Sequence, residues 1–364
     1  MGRPSHAHKM ILTESDAIYA ADRFINYYSC FNRIDDYLRH VKKDRMDNRP
    51  GSLFGADSEF FDSFKMHPNE MEFEIHVVDT DPKTTSRYNQ WLYSETLNLT
   101  ASNAVEEAIP GRTHKWIVEE VNTKKIVGVV RFGSPTINSK PRNNYFDRVV
   151  PLKEINPYFV MGFNIVPTQP FGFNYLGGKL LALLASSYEL KSQFDHKYGT
   201  KLKYFETTSL YGTTKGMSMY DGLKPFLRHI GDTESKFLPL FHDNEFREFF
   251  NWFNVRNNNE RLISADKSSK KIKIQSKMIS IIKHSLMYYE CLDKLNEFNA
   301  CIKHAMSLTE KKRYYLGDFR HTAQQAIEWW KKKASKRYDK LTREGRVRHE
   351  LEVWQPGVAL EIIR

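Results

Sequence analysis

The sequence predicts an α+β protein in which helices flank a mixed β-sheet. Its 364 residues are 40% apolar and 27% charged, which allows a substantial buried core and excludes a chain that is disordered as a whole. Runs rich in β-branched and aromatic residues alternate with helical periods between residues 70 and 231. The resulting order, helix, strand, hairpin, strand, helix, strand, helix, requires at least one parallel crossover, so the sheet is predicted to be mixed.

Residues 1–69 are predicted to form an N-terminal helical element. From Thr13 the apolar residues recur mostly at three- and four-residue steps, which predicts one helix running to about Val41. Residues 48–57 contain one proline and two glycines and are predicted to end it.

The predicted core spans residues 70–231. Alternating apolar residues indicate the strands, and three-residue steps indicate the helices. In chain order the predicted elements are a strand at 72–78, helical character in the first half of 86–108, a hairpin of 115–121 and 125–132, a buried strand at 158–166, a helix from Gly177 to about Phe194, a strand at 202–210 and a short helix at 219–229.

Residues 232–364 are predicted to form a basic, mostly helical C-terminal region. Helical periods occur at 279–306 and 318–338, whereas residues 270–275 alternate as an edge strand or arm would. Between residues 331 and 348, nine basic residues stand against two acidic ones. This local excess supplies most of the net charge of +11.

The basic region indicates a polyanionic partner, with DNA as the favoured one. Aromatic residues such as Trp329 interleave with the cations, and this combination suits phosphate neutralisation with base stacking. A helix that buries Trp329 against the core while its lysines stay solvated explains the same pattern. The predicted nucleic-acid-binding residues are Lys331, Lys332, Lys333, Lys336 and Arg337.

A glycine-rich turn follows the buried strand at 158–166, and the next helix starts with Gly177 and Gly178. Glycines let a ligand approach the backbone, and a helix N-terminus presents unpaired N–H groups and a positive dipole end. The turn therefore predicts a site for a phosphate-bearing cofactor. A tight strand-to-helix connection without a ligand is the alternative.

The order of these elements resembles the GNAT fold of N-acetyltransferases over residues 70–231. In that fold the splayed strand and the turn after it bind the pyrophosphate of acyl-coenzyme A. The resemblance therefore implies acyl-coenzyme A as cofactor. The residues that it implies for cofactor binding are Ile165, Val166, Gly172, Asn174, Gly177, Gly178 and Lys179.

The same resemblance implies catalytic roles for two further residues. Tyr220 stands where the GNAT fold often has a tyrosine that protonates the leaving thiolate, and Glu206 is a candidate base or water-holder. Two alternatives stay open: Tyr220 is a core or interface aromatic, and Glu206 is a solvated carboxylate on a strand face.

Three blocks, at residues 162–167, 203–212 and 219–225, resemble the Druantia defence protein DruA family, as in a divergent phage-type relative. The resemblance implies an acetyltransferase-like core that works on or around DNA. The phage Mom family, which modifies adenine in DNA, looks similar in fold.

We therefore expect a DNA-directed or DNA-associated acyltransferase-like protein of phage or defence-system origin. The alternative is a catalytically silent nucleic-acid-binding protein that uses the same fold as a scaffold. A nuclease with carboxylates Asp79 and Asp81 and Lys83 comes third, although an Asp-Pro turn explains that segment too.

Other features of the sequence bear on metal binding, membrane association and cellular location. The thirteen histidines and three cysteines show no metal-ligand spacing, so no metal is expected. No run of about 18 apolar residues exists and the start lacks a secretory apolar segment, so no membrane partner is expected. These features predict a cytoplasmic protein, in the host cell if it is phage-encoded.

Overall fold

One seven-stranded sheet organises the described part of the chain. The computed structural model describes residues 10–48, 55–78, 87–101, 111–209, 219–233, 239–260, 262, 271–309, 311–357 and 360–361. Its strands are β1 (Phe73–Val78), β2 (Thr113–Glu120), β3 (Lys125–Gly133), β4 (Phe159–Pro167), β5 (Tyr204–Thr208), β6 (Arg228–Asp232) and β7 (Arg313–Gly317).

The strand order across the sheet is β1-β2-β3-β4-β5-β7-β6. β4 and β5 are parallel, and every other neighbouring pair is antiparallel. This mixed sheet confirms the predicted α+β class. The likeness to the GNAT fold stays a prediction.

Twelve α-helices accompany the sheet within the described residues. They are α1 (Glu14–Ser29), α2 (Ile34–Asp47), α3 (Arg87–Thr100), α4 (Lys140–Tyr145), α5 (Leu152–Tyr158), α6 (Phe171–Tyr175), α7 (Gly177–Ala185), α8 (Tyr188–Tyr198), α9 (Asp243–Arg256), α10 (Lys271–Tyr288), α11 (Leu292–Ser307) and α12 (Ala323–Arg343). No helix in these ranges combines the length and the apolar character that a membrane crossing needs.

The chain forms two compact units, each built from two segments. One unit comprises residues 1–37 and 236–310, and the other comprises residues 38–235 and 311–364. The first contains α1, α9, α10 and α11, and the second contains the whole sheet. The division into an N-terminal helical element (1–69), an acetyltransferase-like core (70–231) and a basic, mostly helical C-terminal region (232–364) stays a prediction.

Apolar side chains cover both faces of the sheet. On one face, α7 and α12 bury a large core in which Leu181, Phe205 and Trp330 are fully buried. On the other face, α3 covers β2 and β3, and a smaller cluster around Phe159 and Leu316 lies under β5 and β7. The residues of β5 alternate between these faces, as strand geometry requires.

Most predicted strands are confirmed, including the hairpin of β2 and β3. The predicted helix from Thr13 to Val41 is wrong as one piece, because it breaks between α1 and α2. The helix predicted from Gly177 to Phe194 likewise ends at Ala185 and resumes as α8. The short helix predicted at 219–229 reduces to a 3-10 turn, and β6 begins within that range.

In the C-terminal region one prediction needs correction, and one strand was not predicted. Residues 270–275 were expected to alternate as a strand, but α10 begins at Lys271 and buries Ile274 and Met278 on one helical face. β7 was not predicted, because its five residues lie directly before a helical period and read as part of a connection.

Candidate functional site

β4 and β5 diverge in the middle of the sheet. They pair from Phe159 to Gly162, opposite Tyr204 to Thr207. Beyond that point β4 continues to Pro167, and within the described residues only β3 pairs with it. Ile165 and Val166, which were predicted to bind the cofactor, therefore lie on the half of β4 that has left β5.

Neighbouring side chains lie close to each glycine of the turn after β4. A side chain on Gly172 would come within 2.4 Å of the Gln169 side chain. On Gly177 it would come within 2.6 Å of the Phe171 ring, and on Gly178 within 2.6 Å of Met219 Sδ. The space above each glycine is therefore filled by the protein's own side chains.

Asn174 connects the C-terminal segment to this turn through two hydrogen bonds. Its fully buried side chain donates to the Arg348 carbonyl (2.7 Å) and accepts from the Arg348 N–H (3.1 Å). Phe171 and Tyr175 are also fully buried beside it. The glycines and Asn174 thus have packing or hydrogen-bonding roles within the protein. Lys179, which was also predicted to bind the cofactor, has different surroundings, because its charged group lies near other cations.

Lys179, Lys333, Arg337 and Arg348 form what we call the basic cluster. Burial lowers the pKa of Lys179, and the positive charges of Lys333 and Arg337 lower it further. Burial also lowers the pKa of Arg337, followed by the charges of Arg346 and Arg348. The neighbouring cations therefore disfavour the protonated forms of Lys179 and Arg337, and a bound anion would relieve that cost.

Two arginines of the basic cluster pack against the same aromatic ring, that of Phe173. The guanidinium groups of Arg337 and Arg348 lie 4.8 Å and 4.1 Å from the centre of the Phe173 ring. Arg337 Nε also donates to the Phe173 carbonyl (2.8 Å). A salt bridge from Arg348 to Glu352 (2.5 Å) partly neutralises that side chain. Arg348 was not among the predicted site residues, although it belongs to the basic run that the sequence indicated.

The five cations predicted to bind nucleic acid differ in their surroundings along α12. Lys331 is nearly buried and forms an ion pair with Glu72 (3.0 Å). Lys332 and Lys336 are exposed, and Lys333 lies 5.5 Å from the centre of the Trp329 ring. The helix therefore turns Lys331 toward the sheet and leaves its neighbours toward solvent. The assignment of these residues to nucleic acid stays a prediction.

Glu206 lies on β5 in a buried ion pair with Arg142. Both side chains are fully buried, and Arg142 Nη1 lies 3.4 Å from Glu206 Oε2. Arg142 also donates to the carbonyls of Thr136 and Ile137. Burial raises the pKa of Glu206 to about 7, although the Arg142 charge acts against the rise. The picture of a solvated strand-face carboxylate is wrong because Glu206 has no exposed surface.

Tyr220 lies on the opposite face of the sheet from Glu206. It is buried in the core under α7 and makes an edge contact with Tyr315, with ring centres 5.5 Å apart. Burial raises its pKa further above the usual tyrosine range. Glu206 alternates with Phe205, which faces the α7 core, so its own side chain points away from Tyr220. The structure therefore does not bring the two predicted catalytic residues to one site.

Two groups of acidic residues could be considered as metal sites. The segment with Asp79, Asp81 and Lys83 lies outside the described residues. Within them, Glu74, His76 and Glu119 approach one another closely enough to share an ion. Because they lie at a partly exposed strand surface, where acidic groups commonly cluster without an ion, we assign no metal function to them.

A comparison with known families gives a match for this chain. The family model described as Druantia protein DruA matches residues 29–215, just over half of the chain. No curated protein and no solved structure matches it. The matched residues include β1 to β5, the glycine turn, and the buried pair of Arg142 and Glu206. The chain therefore belongs to the DruA family.

Proposed function

We propose that the protein binds nucleic acid in anti-phage defence and that the basic cluster holds the phosphate backbone. The observation that carries this proposal is the convergence of Lys179, Lys333 and Arg337 near the start of α7, where the charges of Lys333 and Arg337 add to burial in lowering the pKa of Lys179. Asp221 acts against the lowered pKa of Lys179, but it already accepts hydrogen bonds from Arg313 and Tyr315.

The start of α7 adds a favourable potential for an anion. The helix has nine residues, and no side chain caps its N-terminus at Leu176. The dipole of α7 therefore adds to the positive potential of the cations beside it, although Gly177 and Gly178 at its start are themselves buried. A phosphate diester would gain charge-assisted hydrogen bonds from this arrangement, and successive phosphates would reach the exposed lysines of α12.

Acyl transfer to DNA is a second candidate function, and the divergence of β4 from β5 supports it. A splayed strand before a helix N-terminus is the feature that the GNAT resemblance associates with acyl-coenzyme A. The glycines fit this role poorly, because Phe171 and Met219 fill the space at Gly177 and Gly178. We therefore derive no catalytic step through the cofactor.

A cytoplasmic location is part of this proposal. Cys30, Cys291 and Cys301 are all free thiols, which suits a reducing compartment. Defence against phage nucleic acid would take place in the same compartment.

The test compares two double variants that lose equal charge. Lys333→Gln with Arg337→Gln removes two cations from the basic cluster, whereas Lys273→Gln with Lys303→Gln removes two exposed cations from α10 and α11. Binding of a labelled duplex is measured by fluorescence anisotropy at several salt concentrations. We expect the first variant to lose about tenfold in affinity and to lower the salt slope by roughly 2, because each lost phosphate contact contributes about 0.9.

The control variant should bind like wild type, apart from a small effect of net charge. Equal losses in both variants would mean that overall charge, and not the basic cluster, governs binding. Acetyl-coenzyme A added as a competitor tests the second candidate: displacement of the duplex from wild type would indicate a shared phosphate site. Thermal unfolding of each variant shows whether it has kept its fold.

A further inference from the structure

A cavity of about 610 Å³ lies beside the N-terminal half of α12, within the unit that contains the sheet. Its volume falls within the range of small-molecule sites in proteins. It is separate from the basic cluster, but Lys332 lines it and Lys333 of the basic cluster is the next residue on α12. We call it the aromatic cavity.

Three rings form its apolar wall. The Phe226 ring contacts both His321 and Trp329, at centre-to-centre distances of 4.5 Å and 5.6 Å. Trp329 and Phe226 are half-buried, so part of each ring is available to a ligand. Burial lowers the pKa of His321, whose Nε2 donates to the Leu183 carbonyl (2.9 Å). At neutral pH that imidazole is uncharged and extends the ring surface.

Cations line another side of the aromatic cavity. Arg228 and Arg320 both contact the Asp318 carboxylate, at 2.6 Å and 2.7 Å. The Arg320 side chain is 78% exposed, and Lys332 is exposed as well. Three cations face the two carboxylates of Asp318 and Glu328 here, so the lining favours an anionic group.

Hydrogen-bonding groups stand beside the rings. Gln324 and Glu328 lie one helical turn apart on α12, and Gln324 Nε2 donates to Glu328 Oε1 (3.1 Å). Both residues line the aromatic cavity. The amide and carboxylate can exchange this mutual bond for bonds to the polar edge of a planar ligand.

We propose that the aromatic cavity binds a nucleobase, with Trp329 and Phe226 against its ring and Arg320 and Lys332 against its phosphate. Ring surfaces, an amide edge and flanking cations are the features that proteins use for unpaired bases. Because α12 links the cavity to the basic cluster, the ligand would be an unpaired nucleotide of the bound strand. This inference deepens the proposed function and rests on it.

The test uses oligonucleotides that contain one 2-aminopurine, whose fluorescence falls when it stacks on an aromatic ring. The full chain is titrated with a single strand in which that base is unpaired, and with a duplex in which it is paired. Trp329→Leu removes the ring from the aromatic cavity, and Trp91→Leu, at a half-buried tryptophan on α3, is the matched control. Free 2-aminopurine nucleotide is a separate arm.

We expect Trp329→Leu to lose quenching and about tenfold in single-strand affinity, the usual effect of removing one stacking ring. Its duplex affinity and the behaviour of Trp91→Leu should match wild type. Unchanged quenching in a folded Trp329→Leu protein would overturn the inference. Absent duplex binding would instead contradict the basic cluster, and Trp329-dependent quenching of the free nucleotide would then assign the cavity to mononucleotides.

Discussion

Glu206 has an unusual electrostatic environment for a residue of a central strand. Its Oε1 atom and the Nε atom of Arg142 are both buried without a well-formed hydrogen bond among the described residues, and the nearby Tyr314 hydroxyl only partly opposes the effect of burial on the Glu206 pKa. Removing two charges from water costs more than a single 3.4 Å contact recovers, unless further hydrogen bonds satisfy both groups. Burial therefore favours a protonated Glu206 in the folded state, although the Arg142 charge acts against it, and the pKa of this carboxyl rises.

This shift predicts how stability depends on pH. The folded state holds the Glu206 proton up to about pH 7, whereas the unfolded chain releases it near pH 4.5. The stabilisation is therefore complete below pH 4.5 and is lost as the pH rises to 7. Relative to Glu206→Gln, wild type should lose on the order of 3 kcal/mol across this window. Denaturant unfolding at four pH values measures the difference, and parallel curves would contradict it.

The burial of Glu206 could not be predicted from the sequence. Carboxylates are rarely buried without a partner, and Arg142 is 64 residues earlier in the chain with no local motif to mark it. The basic cluster was partly predictable, because three of its members, Lys333, Arg337 and Arg348, belong to the basic run at residues 331–348. The approach of Lys179 to Lys333 and Arg337 depends on the packing of α12 against α7, and no sequence pattern indicates it.

At the scale of elements, the junction of α6 and α7 shows how packing replaces a ligand as the reason for a glycine. Leu176 adopts a left-handed conformation (φ 57°) between the two helices. Gly177 then starts α7 against Phe171 and Pro167. The sequence indicated both the turn and the helix start here. The sequence could not show which group lies next to the Gly177 backbone. A bound phosphate was predicted there, and the structure has the Phe171 ring.

That junction predicts the effect of adding a single methyl group. The new Cβ of Gly177→Ala would lie 2.6 Å from the Phe171 ring, so α7 or the ring must shift. We expect a loss of about 1–3 kcal/mol in the free energy of unfolding. At Gly222 the Cβ would meet only the flexible end of Lys179 at 3.3 Å, so Gly222→Ala should stay near wild type. Urea unfolding compares them, and equal stability would show that the junction can relax.

The pattern at the start of α10 explains one wrong prediction at this scale. Ile272 and Ile274 alternate with lysines, which is typical of an edge strand. The helix buries Ile274 and leaves Ile272 45% exposed. Two apolar residues are too few to distinguish the two-residue period of a strand from the 3.6-residue period of a helix. The longer window, which includes Met278, Ile281 and Ile282, fits the helical period.

At the scale of the whole molecule, the sheet depends on two distant segments of the chain. β7 lies between β5 and β6, although β5 ends about a hundred residues before it begins. α12 follows β7 and supplies Ile327, Trp330 and Ala334 to the core over α7. The DruA match ends at residue 215 and includes neither element. The matched region therefore lacks part of the core that it needs in this chain.

A fragment that ends at residue 310 should consequently lose the folded sheet. Its missing β7 and α12 bury six large apolar side chains, each contributing about 1.5–3 kcal/mol, and together these contributions are as large as the typical total stability of a domain. Because residues 236–310 belong to the other unit, loss of the sheet must be measured within the sheet itself. We expect amide hydrogen exchange to show rapid exchange of β3 and β4 in fragment 1–310 and protection in fragment 1–357. Protected β3 and β4 amides in the shorter fragment would mean that β1 to β5 and α7 form a stable core without the C-terminal segment.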